Sequence, residues 1–329
     1  MSETTLGRFQ AFVLAGIVLI CLLAPAFGTR LVIYNLTIIA LYATVVISLN
    51  LLLGIAGQAS FAQTTFMAIG GYGLAIMTKQ LGLNPWLSIV LSLGISILVA
   101  VVIGMPLLRL RGHYLSMGTI ALALGTYSFA NASSFTNGGW GISGVPTLSV
   151  GTVSFRNPLN FYILAWVICF VSLAAFYLLA NSHIGRAWRA LSTRADIAAT
   201  LCIDVQRYKL MVLVIAASMA SLSGSFYVAY AHFVGPDLYD ISIMINLILM
   251  LYVGGVRSVV GPIIGAAFVI LVPQMAAGLE HYQNLIFYAL LLAVILVKPS
   301  GLFGKATEAR GIDSMIPLWL MARLRTRSR

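Results

Sequence analysis

Charge is what this chain has least of. Only 8% of its 329 residues are Asp, Glu, Lys or Arg, against about 25% in soluble domains. So few charges cannot build a water-facing shell. With 60% hydrophobic residues and a mean hydropathy of +1.00, lipid is the solvent for most of the surface. Carboxylates are scarcer still: Glu3, Asp196, Asp204, Asp237, Asp240, Glu280, Glu308 and Asp313 are the whole set, and none lies inside a long apolar run. His113, His183, His232 and His281 sit at the ends of such runs or between them. Proton-coupled carriers place titratable groups within the membrane, so that source of energy has no residue to work with here. Cys21, Cys169 and Cys202 have neither the spacing of metal ligands nor that of a disulfide framework. No G-x-x-x-x-G-K-[ST] phosphate loop is present. Gly224-Ser225 ahead of His232 invites the idea of an intramembrane hydrolase, but such a pair must meet within hydrogen-bond reach, and the order is common by chance.

What remains is a series of apolar stretches about 18–25 residues long, the length of a membrane-spanning helix rather than of a barrel strand. The expected fold is all-α, a polytopic integral membrane protein of about ten transmembrane helices near 9–28, 31–53, 61–78, 86–108, 113–131, 159–180, 210–231, 241–255, 259–279 and 283–298. The eighth is short and ends in glycine, which suits a partial or tilted span. Ala24-Pro25-Ala26 has the look of a cleavage site, yet the leading segment carries Glu3 beside Arg8 and the apolar run is long, so the first span is read as uncleaved. Residues 1–304 are expected to form one transmembrane domain and 305–329 a basic tail that follows anionic lipid. A net charge of +11 would suggest nucleic acid in a soluble protein; here topology accounts for it. With both termini cytoplasmic, only Arg30, Lys79 and Arg156 of the 19 cations fall on the outer side, as the positive-inside rule demands. Arg109 and Arg111 then anchor the end of the fourth span at headgroup level.

The longest polar interruption is 181–209. It carries Arg186, Arg189, Arg194, Arg207 and Lys209 against Asp196 and Asp204. Thr193 is a candidate N-cap with Asp196 three residues on, and Ile197 and Leu201 share a helix face beside the small Ala198 and Ala199. Asp204 is a second candidate cap, opening the helix that re-enters the membrane. The stretch reads as a helix lying across the cytoplasmic face with an apolar ridge for a partner; the alternative is a solvated basic linker.

Two cytoplasmic turns echo each other, Gly57-x-x-Ser60 and Gly255-x-x-Ser258, with Asn50 and Asn246 ahead of them. Gly57, Gln58 and Ser60 either line a pathway at a broken helix or form a tight turn. The second copy runs on through Gly254, Gly255, Ser258, Gly261 and Pro262, which makes an internal repeat conceivable. Gly70, Gly71 and Gly73 suit close helix packing. Outside, 131–158 holds Gly138, Gly139, Gly141 and Gly144 around Trp140. It is either a pliable lid or docking surface, with positive φ expected at Gly138, Gly139 and Gly144, or an interface loop resting Trp140 in the headgroups.

Taken together, several stretches resemble one family. They are Gly57-Gln58-Ala59-Ser60 with Gly70-Gly71-Tyr72, Leu108-Arg109-Leu110-Arg111-Gly112, Gly138-Gly139-x-Gly141-Ile142-Ser143-Gly144-Val145-Pro146, Gly185-Arg186-Ala187-x-Arg189-Ala190, Arg207-Tyr208-Lys209-Leu210, Gly254-Gly255-x-x-Ser258-x-x-Gly261-Pro262 and Lys298-Pro299-x-Gly301-Leu302. In this order they resemble the LivM-type permease subunits of bacterial ABC importers for branched-chain amino acids. The resemblance implies a multi-pass inner-membrane permease subunit that is not an enzyme. It also implies a second related permease, two cytosolic ABC ATPases that use ATP and Mg, a periplasmic solute-binding protein, and a small hydrophobic amino acid as solute. No cofactor is expected on this chain. The resemblance makes the central stretch the coupling element that enters an ATPase groove, through Arg186, Arg189, Asp196, Ile197, Ala198, Ala199, Leu201 and Arg207. In the family this element commonly ends in Gly; here Cys202 stands there, and Ala195 takes an acidic position. Related permeases carry urea or short amides. A stand-alone channel for a small neutral solute is the remaining alternative, against which the coupling-like stretch argues.

Overall fold

The computed structural model describes residues 16–18, 21, 29–110, 112–150, 153–193 and 204–275. The expected tenth span, the tail from 305 and nearly all of the expected first span lie outside the described residues. Nine α-helices of the described residues carry the architecture: α1 (Arg30–Leu49), α2 (Gln63–Lys79), α3 (Pro85–Leu107), α4 (His113–Ala132), α5 (Pro158–Asn181), α6 (His183–Thr193), α7 (Val205–Ala231), α8 (Ile241–Gly254) and α9 (Gly261–Met275). Five described segments are long and apolar enough to cross a membrane: Arg30–Ile55, Pro85–Leu107, Pro158–Asn181, Val205–Ala231 and Pro236–Gly254.

Helix starts follow local chemistry. Asn84 and Asn157 each accept a hydrogen bond from the backbone N–H two residues on, at 3.0 and 3.1 Å, with proline at the first helical position of α3 and α5. Asp204 caps α7 by accepting from the Arg207 N–H at 3.2 Å, as its position suggests.

α1 is the axis of the molecule. Of its most apolar stretch 89% is buried, against 33% for α3, because α5, α7, α8 and α9 all pack around it. Its buried hydroxyls are satisfied within the helix: Thr37, Thr44 and Ser48 donate to the carbonyls of Ile33, Ala40 and Val45 at 2.7, 2.9 and 2.6 Å. α2 lies against α7 in a close crossing. A Cβ on Gly70 would overlap the Ser221 carbonyl, and one on Gly224 would overlap that of Met67. The Ser225 hydroxyl crosses the seam to the Gly70 carbonyl at 3.0 Å. Small residues in both helices let the backbones touch, as association in lipid requires.

The expected short eighth span is α8 preceded by a 3-10 turn, Pro236–Tyr239, whose Pro236 and Tyr239 are buried. Two small antiparallel pairs complete the outer face: β1 (Ile142–Ser143) with β4 (Phe233–Val234), and β2 (Ser149–Val150) with β3 (Val153–Ser154).

Candidate functional site at the inner junction

At the inner end of α1, the end expected from the charge pattern to face the cytosol, the helix widens into a π-helical run, Asn50–Ile55. Such runs free carbonyls for other partners. Asn50, fully buried, donates from Nδ2 to the Ser258 carbonyl at 2.8 Å and accepts at Oδ1 from the Arg257 N–H at 2.9 Å. Arg257 donates from Nε to the Gly54 carbonyl at 2.6 Å and from Nη2 to the Ser192 hydroxyl at 3.4 Å. Its φ is +66°, uncommon for a residue with a side chain, and these bonds hold it there. The Ser258 hydroxyl accepts from the Gly261 N–H at 3.1 Å where α9 begins. Two chain segments about 200 residues apart are therefore tied side chain to backbone.

The two echoing turns meet at this junction. Gly57 and Gly255 both have positive φ, +67° and +105°, and Ser60 and Ser258 are both buried. Gln58 is buried too; its Nε2 reaches the Lys209 carbonyl at 3.4 Å, while Oε1 has no partner among the described residues. Gly254 and Gly261 press backbone to backbone where α8 turns into α9, with Pro262 buried beside them.

α6 sits on the same junction. Trp188 is wholly buried and donates from Nε1 to the Tyr208 carbonyl at 2.9 Å; Leu191 is buried with it. Ser192 lies so close to Gly57 that a Cβ there would approach the serine Cβ to 2.8 Å. Arg186 and Arg189 are exposed, Arg186 contacting the His183 ring. Arg207 pairs with Asp204 at 2.8 Å, but both are largely exposed, so the pair adds little to stability. Sequence reasoning did not separate α6 from the rest of the loop. Its face of Ile184, Trp188 and Leu191 recurs at four and three residues, and that was the available signal. Thr193, expected to cap the following helix, is instead the last residue of α6. Asp196, Ile197, Ala198, Ala199 and Leu201 lie outside the described residues.

The outer loop is docked by backbone. The N–H groups of Gly144 and Val145 both donate to the His232 carbonyl, at 2.9 and 3.2 Å, next to the pairing of Ile142 with Val234. Gly138 and Gly144 have the expected positive φ, +57° and +71°; Gly139 does not, and the left-handed residue before the run is Asn137 at +64°. Gly141, which stood outside the expected set, is the most confined: φ is +68° and a Cβ would overlap the Val234 carbonyl. Trp140 is 88% exposed. The serine–histidine idea dissolves: Ser225 donates into the helix seam and the His232 ring bonds the Val145 carbonyl at 3.1 Å.

Residues 31–296 match the family described as the permease component of the branched-chain amino acid transport system. The chain is 24% identical over 290 residues to the high-affinity branched-chain amino acid transport system permease protein LivM of Salmonella typhimurium, covering 81% of this chain and 68% of that protein. Against LivM of Escherichia coli it is 23% identical, covering 89% and 75%. Against LivH of Escherichia coli, a permease protein of the same system, it is 26% identical, covering 82% and 94%. No solved structure matches the chain. The match over most of its length, on apolar helices tied at a buried polar junction, means that this chain belongs to the permease-component family of branched-chain amino acid transport systems and is a multi-pass protein of the bacterial inner membrane.

Proposed function

We propose that this chain is one transmembrane half of an ATP-driven importer for a small hydrophobic, most simply branched-chain, amino acid. A second related permease completes the pore. Two cytosolic ATPases, using ATP and Mg, supply the energy, and a periplasmic binding protein delivers the solute. The chain has about ten spans with both termini in the cytosol, the arrangement that keeps its cations inside.

One observation carries this reading. α6 is a basic helix fastened to the core by Trp188, Ser192 and Arg257, with Arg186 and Arg189 facing out. A push on the segment after Thr193 would reach the end of α1 through α6 and Arg257. A simple channel has no use for such a lever. The coupling surface itself is Ile197, Ala198 and Leu201, with Arg186, Arg189 and Arg207 around it.

Ile197→Asp tests it in the complex co-expressed with its ATPases. Burying one aliphatic side chain contributes about 1.5–3 kcal/mol, so docking should weaken roughly tenfold or more, and a buried carboxylate adds to the loss. The expected result is loss of ATPase co-purification and of leucine-stimulated ATP hydrolysis in liposomes, with the permease pair intact. Full stimulation in this variant would overturn the assignment.

A further inference from the structure

Among the described residues most buried polar side chains have partners, but several do not, Gln63, Tyr72, Trp166 and Ser221 as well as Thr64 and Tyr239; of these, Thr64 and Tyr239 share one cleft. Thr64 is 1% and Tyr239 2% exposed, and neither hydroxyl has a hydrogen-bond partner among the described residues. They lie in one cleft between α2, α4 and the start of α8, lined by Thr64, Ala123, Leu124, Tyr239, Ile241 and Met244. The Tyr239 hydroxyl rests on α2 at Gly71, where a Cβ would overlap it; Gly71 is the midpoint of that helix. The cleft therefore runs from the middle of α2, at Gly71, toward its inner end, where Thr64 is the second residue. One wall belongs to the first half of the chain, and the other is the 3-10 turn Pro236–Tyr239 with the helix it opens. Solute sites in transporters form at interrupted helices.

Its chemistry is specific. The two hydroxyls sit at the buried side, and the aliphatic Leu124 and Ile241 at the exposed side. None of the six lining residues is charged. A solute of net charge would stay uncompensated there, whereas a zwitterion with an aliphatic tail matches both halves. The cleft is closed in this structure, too narrow for a water molecule. One wall is lightly held: α4 meets the α2 side through single hydroxyl bonds, Thr119 from the Phe61 N–H at 3.1 Å, Ser116 to the Ala59 carbonyl at 3.2 Å and Thr126 to Thr65 at 3.2 Å.

We infer that Thr64 and Tyr239 are solute-contacting residues: their hydroxyls bind the polar end of a net-uncharged aliphatic amino acid as it passes between α2, α4 and α8, and α4 moves aside to admit it. The inference rests on the permease reading above and adds where the solute goes.

The test exploits the missing partners. Since neither hydroxyl is bonded among the described residues, Thr64→Val and Tyr239→Phe should assemble normally and unfold at the wild-type temperature or above. If the hydroxyls serve the solute, the maximal rate of L-leucine uptake into liposomes, at saturating binding protein and ATP, should fall about threefold to tenfold in each. Thr64→Ser, which keeps the hydroxyl, should transport like wild type. Undiminished uptake in both hydroxyl-free variants overturns the inference, as does equal loss in Thr64→Ser, which would make the effect one of packing. A lowered unfolding temperature in either would also overturn it by revealing a structural partner. If the wild-type complex moves no leucine at all, the permease reading fails and this inference with it; wild-type uptake with unaffected variants removes the inference alone.

Discussion

The two ends of this molecule join the halves of the chain by different means. At the inner junction side chains do the joining: Asn50 and Arg257 bridge α1 to the turn before α9, and Arg257 reaches on to α6. At the outer end backbone does most of it, through Gly144, Val145 and the strand pair Ile142–Val234, with one side-chain bond added by the His232 ring to the Val145 carbonyl. A side-chain tie can be undone by one substitution and can be biased by whatever moves that side chain. A backbone tie survives most substitutions and yields only to what the backbone cannot accommodate. The inner end can therefore be shifted by whatever moves one side chain, whereas the outer end keeps its shape through most changes of side chain.

The largest effect should come from the inner end. Asn50→Leu keeps the branched shape and the number of side-chain heavy atoms but removes both bonds, so the Arg257 N–H and the Ser258 carbonyl each lose the hydrogen bond to Asn50. A buried group that loses its partner costs about 1–3 kcal/mol. The unfolding temperature of the purified permease pair should drop, and α6 should become more susceptible to proteolysis. If Asn50→Leu unfolds as the wild type does, the junction is not held by these side chains and the contrast between the ends collapses.

Next in size is Gly141→Ala at the outer end. A left-handed conformation costs an L-residue about 1–2 kcal/mol, and the added methyl group would overlap the Val234 carbonyl. Overpacking adds about 1–3 kcal/mol. The expected outcome is loss of amide protection at Val234 in hydrogen exchange, with the inner junction unchanged. Loss of protection at both ends would mean that the two ties form one cooperative unit.

The same contrast explains what the sequence made legible. Span positions follow from apolar length, so α1, α3, α5 and α7 fall where hydropathy puts them. Asn50 and the paired Gly-x-x-Ser turns could be noticed because side-chain ties leave residue types behind. Backbone ties do not: the N–H of Gly144 is like any other, so its bond to His232 has no signature, and positive φ is expected from the sequence at Gly139 rather than at Gly141, the reverse of what the structure has. α6 was hidden for another reason. Its buried stripe is narrow, Ile184, Trp188 and Leu191, set among arginines that mark the whole stretch as a loop. The cleft at Thr64 and Tyr239 was beyond reach, because it joins positions about 175 residues apart through a turn whose depth no local pattern records.

The smallest effect on folding, and the sharpest on the division of labour, is expected from Trp140→Ala. The ring is 88% exposed although the backbone on either side of it is fixed, by Asn137, whose Nδ2 donates to the Gly141 carbonyl at 2.8 Å, and by the strand that follows. A large aromatic held out on a rigid loop is costly to leave in water unless a headgroup layer or a protein surface receives it. Removing it takes no packing from this chain, so stability should change by no more than about 0.5 kcal/mol. If a binding protein receives the ring, leucine uptake at limiting binding protein should fall about fivefold to thirtyfold, the range for losing an aromatic anchor, and recover when that protein is saturating. If headgroups receive it, uptake should be unchanged at both concentrations. A clear fall in unfolding temperature would sink both alternatives, because it would mean that the outer end, like the inner one, is held by its side chains.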